Sequence, residues 1–367
     1  MATVAGVATL WPGDERPEAP YSAPGVTYPL GEVVARTPVC PVIAVRPGME
    51  PEERPEFPDR CDQVAVRLLD GAEEGRRVTL GVPPGISEVL RNGDQVRLIA
   101  VPGDPVSYNW FGVVRNAPIG WMTALFVAVV AVVARARGLL ALVGLLFAGA
   151  VMGWFMLPAL LTGESGIGVA LAGSSLIMFV VLYLAHGPSV RTSTALAGTL
   201  LGLGVTSGLG VLAISATRLT GLGDESGLVL RSQAPELDFA GLLTCAVIVA
   251  GLGVLNDVTI TQSSAVWELR SVAPELSRVA VFRAGMRIGR DHIASTIYTI
   301  VFAYAGTALA VLLLISLYDR PLLDVLSDDA IAEEVVRTLA SAIGLVLAVP
   351  ATTAIAALTV AAPSAQR

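Results

Sequence analysis

The chain contains no lysine; all 24 of its basic residues are arginine. It has only two histidines and three cysteines, and charged residues fill just 15% of its 367 positions. Each scarcity excludes something. So few histidines and cysteines leave little for a zinc or thiol centre, and no metal or other cofactor is expected. A net charge of −7 without a basic face argues against a nucleic-acid partner. A soluble domain carries roughly 25% charge, so this composition excludes an ordinary soluble protein. The chain has no His-Glu-x-x-His, no Gly-x-Ser-x-Gly and no paired intramembrane aspartates, and no enzyme is expected. Without a Gly-Lys phosphate loop, ATP-driven transport by this chain alone is excluded as well.

What is there is apolar. Hydrophobic residues make up 54% of the chain and the mean hydropathy is +0.69. The expected fold class is an α-helical polytopic membrane protein carrying a small extracytoplasmic all-β domain, an OB-like barrel, at its N-terminus. The helical domain is expected over 118–362. Seven spans can be drawn in it, at about 119–134, 138–160, 167–185, 194–216, 238–256, 292–316 and 338–360, each near the ~20 residues that cross hydrocarbon. A charged amphipathic segment, 261–290, is expected on the cytoplasmic side, and residues 363–367 form a tail.

Ahead of these, residues 12–117 read as β-rich. Period-2 alternation marks strands at Gly31–Ala35, Val42–Val45, Val64–Leu68, Arg77–Leu80, Gln95–Val101 and Phe111–Val114, with Asp70-Gly71 and Gly93-Asp94 as turns. Residues 1–11 are apolar but too short to span, and no basic residue precedes them as in a signal peptide. Either they are an apolar tail or they are the remnant of an N-terminal transmembrane helix whose start lies upstream, an eighth helix.

Arginine sets the orientation. Alternate connections place Arg135, Arg137, Arg191, Arg270, Arg278, Arg283, Arg287, Arg290 and Arg367 on one side. Only Arg218, Arg231, Arg320 and Arg337 fall on the other. The arginine-rich side is assigned to the cytoplasm, together with the C-terminus. The β-domain then lies outside, where a disulfide between Cys40 and Cys61 is permitted.

The stretch Gly251–Tyr304 holds the working candidates. Asp257, Thr261, Ser264 and Glu268 are spaced to share one helical face, with Asn256 beside them. Arg283, Arg287 and Arg290 make a basic stripe on the following segment. A polar stripe that continues an apolar span needs partners or water, and Arg287 or Arg290 is the nearest partner in sequence for Asp257. Asp291 is read near a helix N-terminus, where capping alone would account for it. Pro350 breaks the last span, and no inverted repeat is evident.

These segments resemble a known family. GLGVLNDVTITQSSAVWEL is similar to the Gly-rich, Asp, Ser-Ser, Glu-Leu signature of the YibE/F-like bacterial membrane proteins. Gly289, Arg290, Asp291, Ala303, Tyr304 and Gly306 resemble its Gly-Arg-Asp helix ending in Ala-Tyr-x-Gly. HGPSVRTSTALAGT and GLVLAVPATT match two further segments, the whole covering Ala117–Val360 in order. Thr261-Gln262 departs from it, since members more often carry small or apolar residues there. The resemblance implies a multi-pass protein of the bacterial plasma membrane with an outer β-domain behind a first helix. It implies no established activity. Two functions follow from the residues: a secondary transporter or exporter of a small solute or ion, with Asp257 as coupling carboxylate, or a non-transporting scaffold in envelope or secretion machinery. The scaffold would recruit a partner through its outer β-domain. Expected partners are the lipid bilayer, a small solute or ion, and another protein or a second copy.

Overall fold

The computed structural model describes residues 2–13, 24–37, 62–83, 85–317 and 321–360. Cys40, Cys61 and the Val42–Val45 strand lie outside the described residues. The chain divides into two compact units, one of residues 18–126 and one of residues 1–17 with 127–367.

The first unit is built on a five-stranded antiparallel sheet: β1 (Leu30–Arg36), β2 (Gln63–Leu68), β3 (Arg77–Gly81), β4 (Gln95–Val101) and β5 (Ser107–Val113). Its order is β3-β2-β1-β4-β5, and the two end strands come into contact, so the sheet curls into a half-barrel. Alternation explains the core. Val64, Val66 and Leu68 of β2 turn inward with Val33, Leu80, Val96 and Leu98, while Arg67 points out to pair with Glu32. Tyr108 donates to Glu73 at 2.7 Å. That bond, partly offset by burial and aided by Arg76, holds the Glu73 carboxyl below its usual range.

The second unit is helical. Its α1 (Ala2–Thr9) packs on α5 (Gly166–His186), with Gly6 facing Ala172 and Leu10 facing Gly168. Trp11, just beyond α1, stacks on Phe155 at 5.8 Å between centroids. The remaining helices of the chain are α2 (Ile86–Val89) in the sheet unit, α3 (Asn116–Val151), α4 (Leu157–Leu161), α6 (Val190–Thr217), α7 (Glu225–Gln233), α8 (Phe239–Val272), α9 (Arg278–Thr307), α10 (Leu309–Leu317), α11 (Leu322–Leu326) and α12 (Asp329–Thr359).

Five helices are long and apolar enough to cross a membrane, or six if the bent pair α9–α10 is one span. The sequence, read by hydropathy alone, gives seven. The difference is at the start. Spans 119–134 and 138–160 fall in one helical run, Asn116–Leu161, which a π-helical turn at Met152–Met156 joins. Arg135, at φ 53° and ψ −141°, interrupts that run where the two spans were divided. At the other end, α9 and α10 meet at a 65° bend.

Segment 261–290 is not a separate connection. Residues 261–272 continue α8, and α9 begins at Arg278 behind the N-cap Ser277. The helix does not stop at Asn256-Asp257 because nothing there stops it: no glycine or proline follows until Pro274. Asp291 is therefore deep inside α9, and the capping explanation for it lapses.

Candidate functional site

The helical unit is held together by close approach between α6, α8, α9 and α12. A Cβ on Gly198 would collide with Thr352 Oγ1, and one on Gly344 with Thr206 Oγ1. Between these contacts, Gly202 faces Ala348 and Leu255. Rising numbers on α6 meet falling numbers on α12, so the two helices run antiparallel. Their sequences carry the same pattern: Val190-Arg191-Thr192, Gly198, Gly202 and Thr206 on one, Val336-Arg337-Thr338, Gly344, Ala348 and Thr352 on the other. The spacing is identical and the directions opposed. Such a shared pattern is what close approach of two helix backbones requires. Small residues hide the pattern in sequence, because Gly and Ala recur in many membrane helices for packing alone.

Thr206 and Thr352 are fully buried, and their hydroxyls have no hydrogen-bond partner among the described residues. A helical threonine ordinarily bonds the carbonyl four residues back. These two turn instead towards the Cα of a glycine opposite, a weak Cα–H···O contact typical of tight helix pairs.

Three polar residues on the inner side of α8 find partners on neighbouring helices. Gln262, 2% exposed, donates through Nε2 to Gly285 O and Thr353 Oγ1, both at 2.8 Å. The Thr259 and Thr199 hydroxyls lie 2.7 Å apart, and Ser263 donates to Arg191 O at 2.8 Å. The buried Arg270 donates to Pro274 O and Leu276 O, which ties down the turn into α9. Sequence reading passed over these residues. The one signal for them was Gln262, which stands out in sequence as a departure from the resemblance.

The residues expected to form the site lie on the other side. Asp257, Thr261 and Glu268 are exposed and Ser264 is half-buried; on α9, Arg283, Arg287, Arg290 and Asp291 are exposed. Among the described residues no arginine comes within ion-pair distance of Asp257. Its partner is His292, with Nε2 3.7 Å from Asp257 Oδ2. This corrects the assignment of Arg287 or Arg290 as the partner within the chain. The side chain of His292 is 27% exposed and that of Asp257 66%, so the imidazole lines the edge of the bundle and the carboxylate stands outside it. His292 Nε2 and Asn256 Oδ1 are buried and hydrogen-bonded to nothing among the described residues. The place is thus short of hydrogen-bond partners on both helices.

Tyr304 is not part of this group. It follows His292 by twelve residues on one helix, about 18 Å at 1.5 Å per residue. It lines a separate cavity of about 280 Å³ with Val301, Ala308, Ile331, Glu334 and Leu339, beside the α9–α10 bend. Glu333 is buried at the start of α12, where it accepts from Gly223 N at 3.1 Å. Among the described residues no group of His, Cys, Asp and Glu could hold a metal.

The height of Asp257 follows from its neighbours. Leu255 packs on Gly202 and Thr259 pairs with Thr199, so Asp257 stands level with the interior of α6, away from either helix end. No curated protein and no solved structure matches the chain. The YibE/F-like protein family matches residues 122–362, which takes in α5, α6, α8, α9 and α12 and every polar contact described between them. With well over half its length matched, including the segments that carry the resemblance in sequence, the chain belongs to the YibE/F-like protein family.

Proposed function

We infer that the chain is a multi-pass protein of the bacterial plasma membrane that moves a small solute or ion, with Asp257 as its coupling carboxylate. The β-domain lies outside and the C-terminus inside, which takes seven crossings, the 46-residue run Asn116–Leu161 making two of them about its break at Arg135. The observation that carries this reading is the Asp257–His292 pair at the interior height of α6, flanked by the unpartnered Asn256 Oδ1. A carboxylate and an imidazole 3.7 Å apart stand just beyond direct hydrogen-bond reach, at a spacing that a water or a small cation can bridge. The outer sheet, with β1 shared between β2 and β4, supports an OB-like barrel.

Flux in proteoliposomes, screened across cations and metabolites, tests the reading. Asp257→Asn inserts at near-normal abundance and abolishes flux, and His292→Gln shifts or removes its pH dependence. A fully active Asp257→Asn removes coupling at this residue and leaves the scaffold reading in its place. Reporter fusions at Gly227 and Arg367 test orientation separately, the first active only outside and the second only inside.

A further inference from the structure

The geometry points to the outward face of α8 and α9 as the docking surface for a second copy of this chain. Four observations carry it.

The first is height. The Gln262 Nε2–Gly285 O hydrogen bond fixes α8 against α9, which run antiparallel. Five residues back along α8 is Asp257, and five forward along α9 is Arg290, so the two stand level. By the same count Ser264 is level with Arg283, and Glu268 with Val279, next to Arg278. Two heights are thus matched, Asp257 with Arg290 and Ser264 with Arg283, while the exposed Asp291 stands level with Asn256.

The second is depth. Gly289 packs on Val349, and α12 continues to Thr359. Arg290 and Asp257 therefore lie ten residues, about 15 Å, inside that helix end. Charged side chains turned outward at that depth cannot be left to lipid; they require pairing or water.

The third is that they are unpaired. Arg283, Arg287 and Arg290 are exposed and form no ion pair among the described residues. Asp257 reaches only His292.

The fourth is self-complementarity. A two-fold axis running along the helices keeps every residue at its own height. It brings α8 of one copy to α9 of the other, so that Asp257 meets Arg290 of the partner subunit, Ser264 meets Arg283 of the partner subunit, and the reverse pairs form at the same time. A different protein would have to supply both signs in the opposite order. A second copy already does. Exposed Ile288 lies between Arg287 and Arg290, and exposed Val272 and Val279 lie at the turn end of the same face. The polar crevice between copies then holds Asp257 and His292 from each, which gives the coupling site a second wall.

This inference rests on the helices being membrane spans and not on transport, so its test is separate from flux. Two differently tagged chains are co-expressed, one Ser264→Cys and the other Arg283→Cys, each with Cys40, Cys61 and Cys245 replaced by serine. Oxidation in the membrane is expected to give a disulfide-linked heterodimer that neither chain gives alone. The wild-type chain in mild detergent is expected to have the mass of a dimer. Arg287→Glu with Arg290→Glu weakens it by about 30-fold or more, as loss of buried charge pairs at an interface does, and adding Asp257→Arg recovers much of that. A chain that inserts correctly but bleaches in single steps as a monomer overturns the inference. So does a dimer that fails to cross-link between Ser264 and Arg283, or a different membrane protein co-purifying in place of the second copy.

Discussion

The two sides of α8 carry similar numbers of polar groups and treat them in opposite ways. On the inner side Thr259, Gln262 and Ser263 are buried and each hydroxyl or amide finds a partner on α6, α9 or α12. On the outer side Asp257, Thr261 and Glu268 are exposed, and only Asp257 has an ionic neighbour. The inner side is a structural solution: satisfied polar atoms lock helices at one register. The outer side carries charge that the fold does not require, which is where function is to be sought.

Perturbing the inner side should have the larger effect on stability. Gly198→Leu drives a branched side chain into the buried side chain of Thr352. Overpacking costs about 1–3 kcal/mol and occasionally more; here the upper end is expected, with loss of the monodisperse peak in size-exclusion chromatography. An unchanged melting temperature would show that α6 and α12 are not in close contact.

Gln262→Leu is next. It leaves Gly285 O without its side-chain donor, while Thr353 keeps its bond to Val349 O. Gly285 O keeps its helical bond within α9, so a loss of about 0.5–1.5 kcal/mol, the net contribution of one hydrogen bond, should appear as earlier thermal unfolding in detergent. Gln262→Glu should be worse, since it puts a charge in the same place.

Asp257→Asn should have the smallest effect. The carboxylate is two-thirds exposed, so unfolding is expected to move by less than about 0.5 kcal/mol. If Asp257→Asn melts as early as Gln262→Leu, the outer carboxylate is structural and the contrast between the two sides disappears.

Much of the fold was legible in the chain. The alternation of Val64, Val66 and Leu68 marked β2 because a strand shows one face to its core and one to water. The break near Arg135 was legible as charge within an apolar run. Helix ends were less so. Asn256-Asp257 read as an exit from a span, yet α8 continues to Val272, because polar residues do not stop a helix whose neighbours run alongside it. The pairing of α6 with α12 was not legible either, since Gly, Ala and Thr at four-residue spacing do not say which helix they will meet.

Taken alone, the sequence determined the apolar helical class, the family, the strands of the β-unit and which residues of α8 and α9 share a helical face. Those follow from composition and from periods of 2 and 3.6 residues, which are local. Only the tertiary structure decided which face of α8 is buried, that His292 and not an arginine stands beside Asp257, and that the charges lie at the interior height of the bundle. Those depend on where Gln262 meets Gly285 and where Gly198 meets Thr352, contacts between residues 23 and 154 positions apart. No local pattern encodes a contact of that kind.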